Sequence, residues 1–208
     1  MQDLTFIATP LRLMKPRRGN VFAAKNDKTV IQTLMSERYR GLAGQVTERH
    51  ADKLDMPLGN FLMVLKAAGD PLYRRFLNRY GDLEYVAFEP VLGAHAQAKG
   101  LYRYKLGSEV KYVGSATTTF RQRLRQGYGD ISPKNCFLDG QSTNCLLNAL
   151  ITVYWEQITF EICPLEVTSA EICALEELLI RDSDPEWNST YTTHKRRGIM
   201  RHFVHLER

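Results

Sequence analysis

Residues 100–114 read GLYRYKLGSEVKYVG, two short alternating runs on either side of a glycine-serine pair. Alternating β-branched, aromatic and basic residues around such a pair specify a β-hairpin. Side chains along a strand alternate between faces, so the loop length decides which residues meet. A two-residue turn at Gly107-Ser108 sets Tyr102 opposite Val113 and sends Tyr102 and Tyr112 to opposite faces. A three-residue loop, Gly107-Ser108-Glu109, pairs Leu106 with Val110, Tyr104 with Tyr112 and Tyr102 with Gly114. In this second register, the expected one, Tyr102, Tyr104, Tyr112 and Gly114 share a face, and Arg103, Lys105, Lys111 and Val113 take the other. Gly114 has no side chain and is expected to leave a hollow beside the Tyr102 ring. Cross-strand aromatic packing would use the same pair of phenols, so the hairpin alone does not choose between a site and a core.

Downstream segments bring charge toward that face. SATTTFRQRLRQG, residues 115–127, reads as a helix with Phe120 and Leu124 as its inward pair and Arg121 and Arg125 projecting together toward solvent. Arg123 lies at the edge of the apolar seam, where a planar guanidinium can grip a phosphate at two points. In AEICALEELLIRD, residues 170–182, a 100° projection gathers Ile172, Cys173, Leu175, Leu178, Leu179 and Ile180 on one arc. Glu176 falls inside the arc. Glu177 falls outside it, one turn from Arg181. An inward carboxylate needs a cation or donors to offset its desolvation. Arg123 is one candidate and a divalent metal is another, since hard Mg²⁺ takes carboxylate and water oxygens. In PEWN, residues 185–188, Pro185 and Trp187 read as an anchor that leaves Asn188 as a polar neighbour or a turn cap.

The rest of the chain sets the frame. Residues 27–50 and 58–80 have helical apolar spacing, including Val30, Leu34, Phe61, Leu62, Leu65, Leu72 and Phe76. A boundary is expected at 85–98: residues 1–90 form a mainly helical region suited to DNA recognition, residues 91–190 an α+β catalytic domain, and residues 191–208 a basic tail. Within the helical region, Ala51, Leu54, Met56, Phe61 and Val64 match the internal spacing of a helix-turn-helix. Asp55 stands where its glycine belongs, and Leu62 and Met63 stand where a recognition helix exposes polar residues, so ordinary helical core fits better. Among 208 residues the net charge is +5, concentrated in LRLMKPRRG, YRRFLNRY, FRQRLRQ and HKRRGIMRH. Such clusters suit a phosphate backbone or are solvated faces. No run of eighteen apolar residues predicts a membrane span, and no apolar leader is apparent. Four cysteines without metal-binding spacing predict free thiols in a reducing cytoplasm.

The ordered set GLY, nine residues, YVG, an arginine in the next helix, a glutamate in a later helix and PEWN resembles the GIY-YIG nuclease superfamily over residues 99–190. That superfamily includes homing endonucleases, the excision-repair incision subunit and several restriction enzymes. The resemblance implies a small three-stranded antiparallel sheet flanked by helices, an α+β fold that cuts phosphodiesters with one divalent metal. It implies that Tyr102 takes a proton from the attacking water, Tyr112 lines the site, Arg123 steadies the scissile phosphate, Glu176 binds Mg²⁺ or Mn²⁺, and Asn188 supports the site. Lys111, Gly114, Arg121, Arg125, Lys195, Arg196 and Arg197 are the expected contacts to DNA phosphates. The first motif has Leu101 and the second Val113 where the family has isoleucine. Gly127 occupies the position of a histidine found four residues after the arginine in some members, leaving Tyr128 or a water as its substitute. The expected activity is a restriction-like endonuclease on double-stranded DNA, a homodimer where the target is palindromic. A structure-specific nuclease and an inactive DNA-binding regulator are the competing readings.

Overall fold

The computed structural model describes residues 4–24, 28–188 and 203, with the side chain of Gln126 excepted. The elements in chain order are β1 (Ile7–Ala8), β2 (Leu11–Arg18), α1 (Val30–Leu34), α2 (Ala43–His50), α3 (Leu58–Ala67), β3 (Tyr85–Pro90), β4 (Gly100–Leu106), β5 (Glu109–Ala116), α4 (Phe120–Gly127), α5 (Pro133–Cys136), α6 (Ser142–Val153), β6 (Ile158–Pro164) and α7 (Ser169–Ser183), with short 3₁₀ turns between them. The architecture is α+β. No helix among the described residues is long and apolar enough to cross a membrane.

Two compact units interleave along the sequence instead of meeting at one cut near residue 90. One holds residues 1–15, 87–129 and 150–208, and the other holds residues 16–86 and 130–149. The second unit packs Phe22, Val30, Tyr39, Val46, Phe61, Leu62 and Phe76 into its core. Its helical stretches are shorter than the apolar spacing suggests. Ser36 and a 3₁₀ turn at Glu37–Leu42 break the first, and the second stops at Ala67 before a 3₁₀ turn at Pro71–Phe76 capped by Asp70. Helix-turn-helix packing is not present here, because Val64 is exposed while Leu62 is fully buried.

In the first unit a four-stranded sheet runs in the order β1-β6-β4-β5, while β2 pairs with β3 in a separate two-stranded sheet. The expectation of three strands is therefore corrected. β6, β4 and β5 form the antiparallel trio, and Ile7 and Ala8 add a fourth strand by pairing with Ile162 and Glu161. That strand gave no sequence signal because it is only two residues long, below the length at which alternation registers.

The hairpin also departs from expectation, and then returns to it. Leu106 pairs with Glu109 and Lys105 with Val110 across a two-residue turn, with Gly107 at φ 57. A positive φ of this kind is what a tight hairpin turn asks of glycine. A bulge at Lys111 then shifts the register by one residue, so Tyr104 still faces Tyr112 and Tyr102 still faces Gly114. The bulge thus puts both tyrosines on one face despite the shorter turn.

α7 covers the opposite face. Its N-terminus is fixed by a capping box, in which the Thr168 side chain accepts from the Glu171 amide while the Glu171 carboxylate accepts from Thr168. Ile172 then packs on Leu101 and Cys163, with Leu175 and Leu179 alongside. Leu178 and Cys173, expected on the buried arc, are exposed, so the apolar seam is narrower than the projection suggests. Cys136, Cys145 and Cys163 are buried, and all four thiols are free.

Candidate active site

The site is built where β4, β5 and α4 meet. Thr119 caps α4 by accepting from the Gln122 amide at 3.1 Å, which starts the helix directly after β5. Phe120 and Leu124 are buried as the spacing predicts, and this orients the helix so that Arg123 lies half-buried, its guanidinium 6.0 Å from the centre of the Tyr128 ring. Arg121 and Arg125 project from the outer side.

The aromatic cluster is larger than the two motif tyrosines. Tyr102 has the rings of Tyr104, Tyr112, Tyr128 and Phe160 between 6.1 and 6.4 Å away, and Tyr104 donates to or accepts from Tyr128 at 3.2 Å. Tyr102, Tyr104 and Tyr128 are fully buried, whereas Tyr112 is half-buried and reaches the surface. The hollow expected at Gly114 is occupied: a Cβ there would lie within 2.5 Å of the Tyr102 hydroxyl and 2.7 Å of its ring edge. Gly114 therefore seats the Tyr102 ring against the strand and holds open no space for phosphate. Sequence reasoning located the close approach but not the occupant, because the ring that fills the space belongs to the same hairpin.

The Tyr102 hydroxyl is buried and has no hydrogen-bond partner among the described residues. Such a group carries a desolvation penalty of about 1–3 kcal/mol unless something met in function satisfies it. Burial pushes the hydroxyls of Tyr102, Tyr104, Tyr112 and Tyr128 well above the usual phenol value, and the positive charge of Arg123 opposes that rise at each. The phenols, Tyr102 foremost, in turn raise the affinity of the Arg123 guanidinium for its proton.

Glu176 stands on α7 and meets β5 at Ser115. Its carboxylate accepts from the Ser115 hydroxyl at 2.6 Å, and no arginine or lysine forms an ion pair with it among the described residues. Desolvation pushes its pKa up, while the Ser115 hydroxyl, Arg123 and the Ser115 amide act to lower it. The carboxylate is thus felt by Arg123, Tyr102 and Tyr112, although its helix lies on the other face. Glu177 is exposed, and Arg181 lies 3.7 Å from Asp182.

The PEWN loop runs along the same edge. The Trp187 amide donates to the Lys111 carbonyl at 2.8 Å, and Asn188 clamps Val113 by accepting from its amide at 2.9 Å and donating to its carbonyl at 2.8 Å. Trp187 is buried and stacks on Tyr154 at 5.8 Å. Both polar ends of the buried Asn188 side chain are engaged with the backbone of Val113, so it holds β5. Lys111 is likewise committed, at 2.7 Å from Glu109 and 3.0 Å from Glu186, so it is not a free phosphate ligand. The expected contacts at Lys195, Arg196 and Arg197 lie outside the described residues.

Gly127 sits where a Cβ would come 3.4 Å from an Arg123 nitrogen. Tyr128, offered as a substitute for the absent histidine, turns inward to Tyr104. Among the described residues no three His, Cys, Asp or Glu side chains gather as a metal cage. The Glu176 carboxylate with the Ser115 hydroxyl beside it offers hard oxygen donors, the kind that Mg²⁺ and Mn²⁺ take alongside water. No protein-family model matches the chain, and neither a curated protein nor a solved structure matches it.

Proposed function

We propose that the protein is a metal-dependent endonuclease of the GIY-YIG kind, hydrolysing phosphodiester bonds in double-stranded DNA as a restriction-type enzyme. One observation carries the reading: among the described residues the buried Tyr102 hydroxyl has no hydrogen-bond partner and the half-buried Arg123 pairs with no carboxylate, while the half-buried Glu176 carboxylate stands on α7 against Ser115. Phosphodiester hydrolysis requires a proton acceptor, a fixed cation for developing phosphate charge and an anion able to hold a metal.

Arg123 faces the phosphate and stabilises the charge that builds on its oxygens, at a position where burial strengthens the interaction. Tyr102, as its phenolate, accepts the proton of the attacking water and becomes the neutral phenol, and Arg123 favours the phenolate that starts the step. Tyr112 lines the approach from the surface. Glu176, oriented by Ser115, would hold Mg²⁺, which supplies Lewis-acid charge when bound. Asn188 and Trp187 fix the strand that carries Tyr112 and Gly114.

Incubating the purified protein with plasmid DNA and Mg²⁺ tests this directly. Cutting that disappears with EDTA and with Glu176→Gln supports the reading; equal cutting by that variant refutes it. A structure-specific nuclease is the second reading, favoured by the absence of helix-turn-helix packing around Leu62 and Val64. Discrete plasmid fragments identify sequence reading, and cleavage confined to branched or flapped substrates identifies shape reading. An inactive regulator would instead bind one site with an affinity indifferent to Glu176→Gln. A palindromic target would call for two copies, which light scattering of the DNA complex would count.

A further inference from the structure

α4 carries two more arginines than the chemistry above uses, and they frame a separate pocket. Arg121 and Arg125 are exposed, and among the described residues neither has a carboxylate within ion-pair distance. Four residues apart on a helix, their Cα atoms are separated by about 6 Å along the axis. Together with Glu89, Pro90, Leu92, Gly93 and Ala96 they line an open pocket of about 380 Å³. Its one acidic group, Glu89, is neutralised by Arg12, whose bond holds the carboxyl below the usual range, with smaller help from Arg125 and Arg121. Three arginines against one carboxylate leave the pocket with two formal positive charges. Pro90, Leu92 and Ala96 give it an apolar floor.

From this arrangement we infer that the pocket is a second DNA contact, in which Arg121 and Arg125 grip successive phosphates of the strand flanking the cleavage position while the sugars rest on Leu92 and Pro90. Two facts distinguish it from a solvated basic face. The arginines are one helical turn apart beside a concavity, and the nearby acid that could have neutralised them is already held by Arg12. Arg123 on the same helix points into the aromatic site, so one rigid element would register the flanking strand against the reacting phosphate. Naming the anion as DNA rests on the endonuclease reading; the charge and shape of the pocket do not.

The test is equilibrium binding of a fluorescent duplex across a salt series in EDTA, where no cleavage occurs. Each phosphate neutralised contributes about 0.9 to the slope of log K against log salt. The double variant Arg121→Gln/Arg125→Gln should therefore lower the magnitude of that slope by about 1.8. Arg181→Gln, which removes an exposed arginine on α7, should leave the slope unchanged. Thermal unfolding of each variant establishes that it is folded. An unchanged slope in the folded double variant overturns the inference, and so does a change seen with heparin but not with duplex DNA. Failure of the endonuclease reading would show separately, as absence of Mg²⁺-dependent cutting by the wild-type chain while the slope difference persists.

Discussion

β2 and α4 each carry three arginines among eight residues, LRLMKPRR and FRQRLRQG, yet their charges have opposite fates. Every arginine of β2 meets an acid: Arg12 bonds Glu89, Arg17 lies 3.5 Å from Glu84, and Arg18 bonds Asp130. Among the described residues none of Arg121, Arg123 and Arg125 has such a partner. A basic cluster in a sequence therefore says little about ligand binding until its counter-charges are located. β2 is exposed along most of its length, where acids from distant segments reach it. The inner side of α4 meets phenols, and its own sequence offers no carboxylate.

The sharpest way to break this contrast is to neutralise α4 at its inner position. Arg123→Gln should lower single-turnover cleavage by about 10²–10³-fold, the usual loss when one preorganised charge-stabilising donor is removed, with a much smaller change in DNA affinity. A loss below tenfold would put Arg123 among the merely solvated arginines.

Next in size are the packing changes that hold the aromatic face in place. Gly114→Ala must displace the Tyr102 ring and should cost about 1–3 kcal/mol in denaturant unfolding. Asn188→Ala leaves the amide and carbonyl of Val113 without partners and should cost about as much, roughly 1–3 kcal/mol. Stability unchanged in both would mean that the edge of β5 is held by something else.

A pH series sharpens the comparison further. Because the folded pKa of Glu176 is raised, its ionised form opposes folding. Glu176→Gln should therefore be more stable than wild type at neutral pH while failing to cut, and the gap should close as pH falls through the carboxyl's raised pKa. Cleavage by wild type should keep rising through pH ~7 toward the alkaline range, since Tyr102 titrates well above the usual phenol value. A plateau already reached at neutral pH would exclude Tyr102 as the proton acceptor.

The smallest effect belongs to β2. Arg17→Gln removes an exposed pair that contributes about 0–1 kcal/mol, so both unfolding and cleavage should stay close to wild type.

How legible was all this in the sequence? The order of hairpin, arginine helix and glutamate helix was readable because each has a strong local period and a cap, as at Thr119 and Thr168. The turn length was not, since GS supports two loops, and the bulge at Lys111 that reconciles them sits where the distant PEWN loop bonds to that strand. β2 hid for a different reason: it is exposed along almost its whole length and shows no apolar alternation. The pairing of Lys111 with Glu186 joins residues 75 positions apart and leaves no local trace. The site was legible as a set of residue types, whereas the burial of Tyr102 and the full engagement of Asn188 emerge only from packing.

The clamp on β5 has one more consequence. A strand at the margin of a sheet offers unpaired amides and carbonyls to any neighbouring chain, inviting edge-to-edge growth. Here Lys111 presents its carbonyl to Trp187, and Val113 presents its amide and carbonyl to Asn188. Two copies of this molecule could not merge into one continuous sheet through β5 without first peeling that loop away, so the residues that clamp the strand also act as a guard against fibrous self-association.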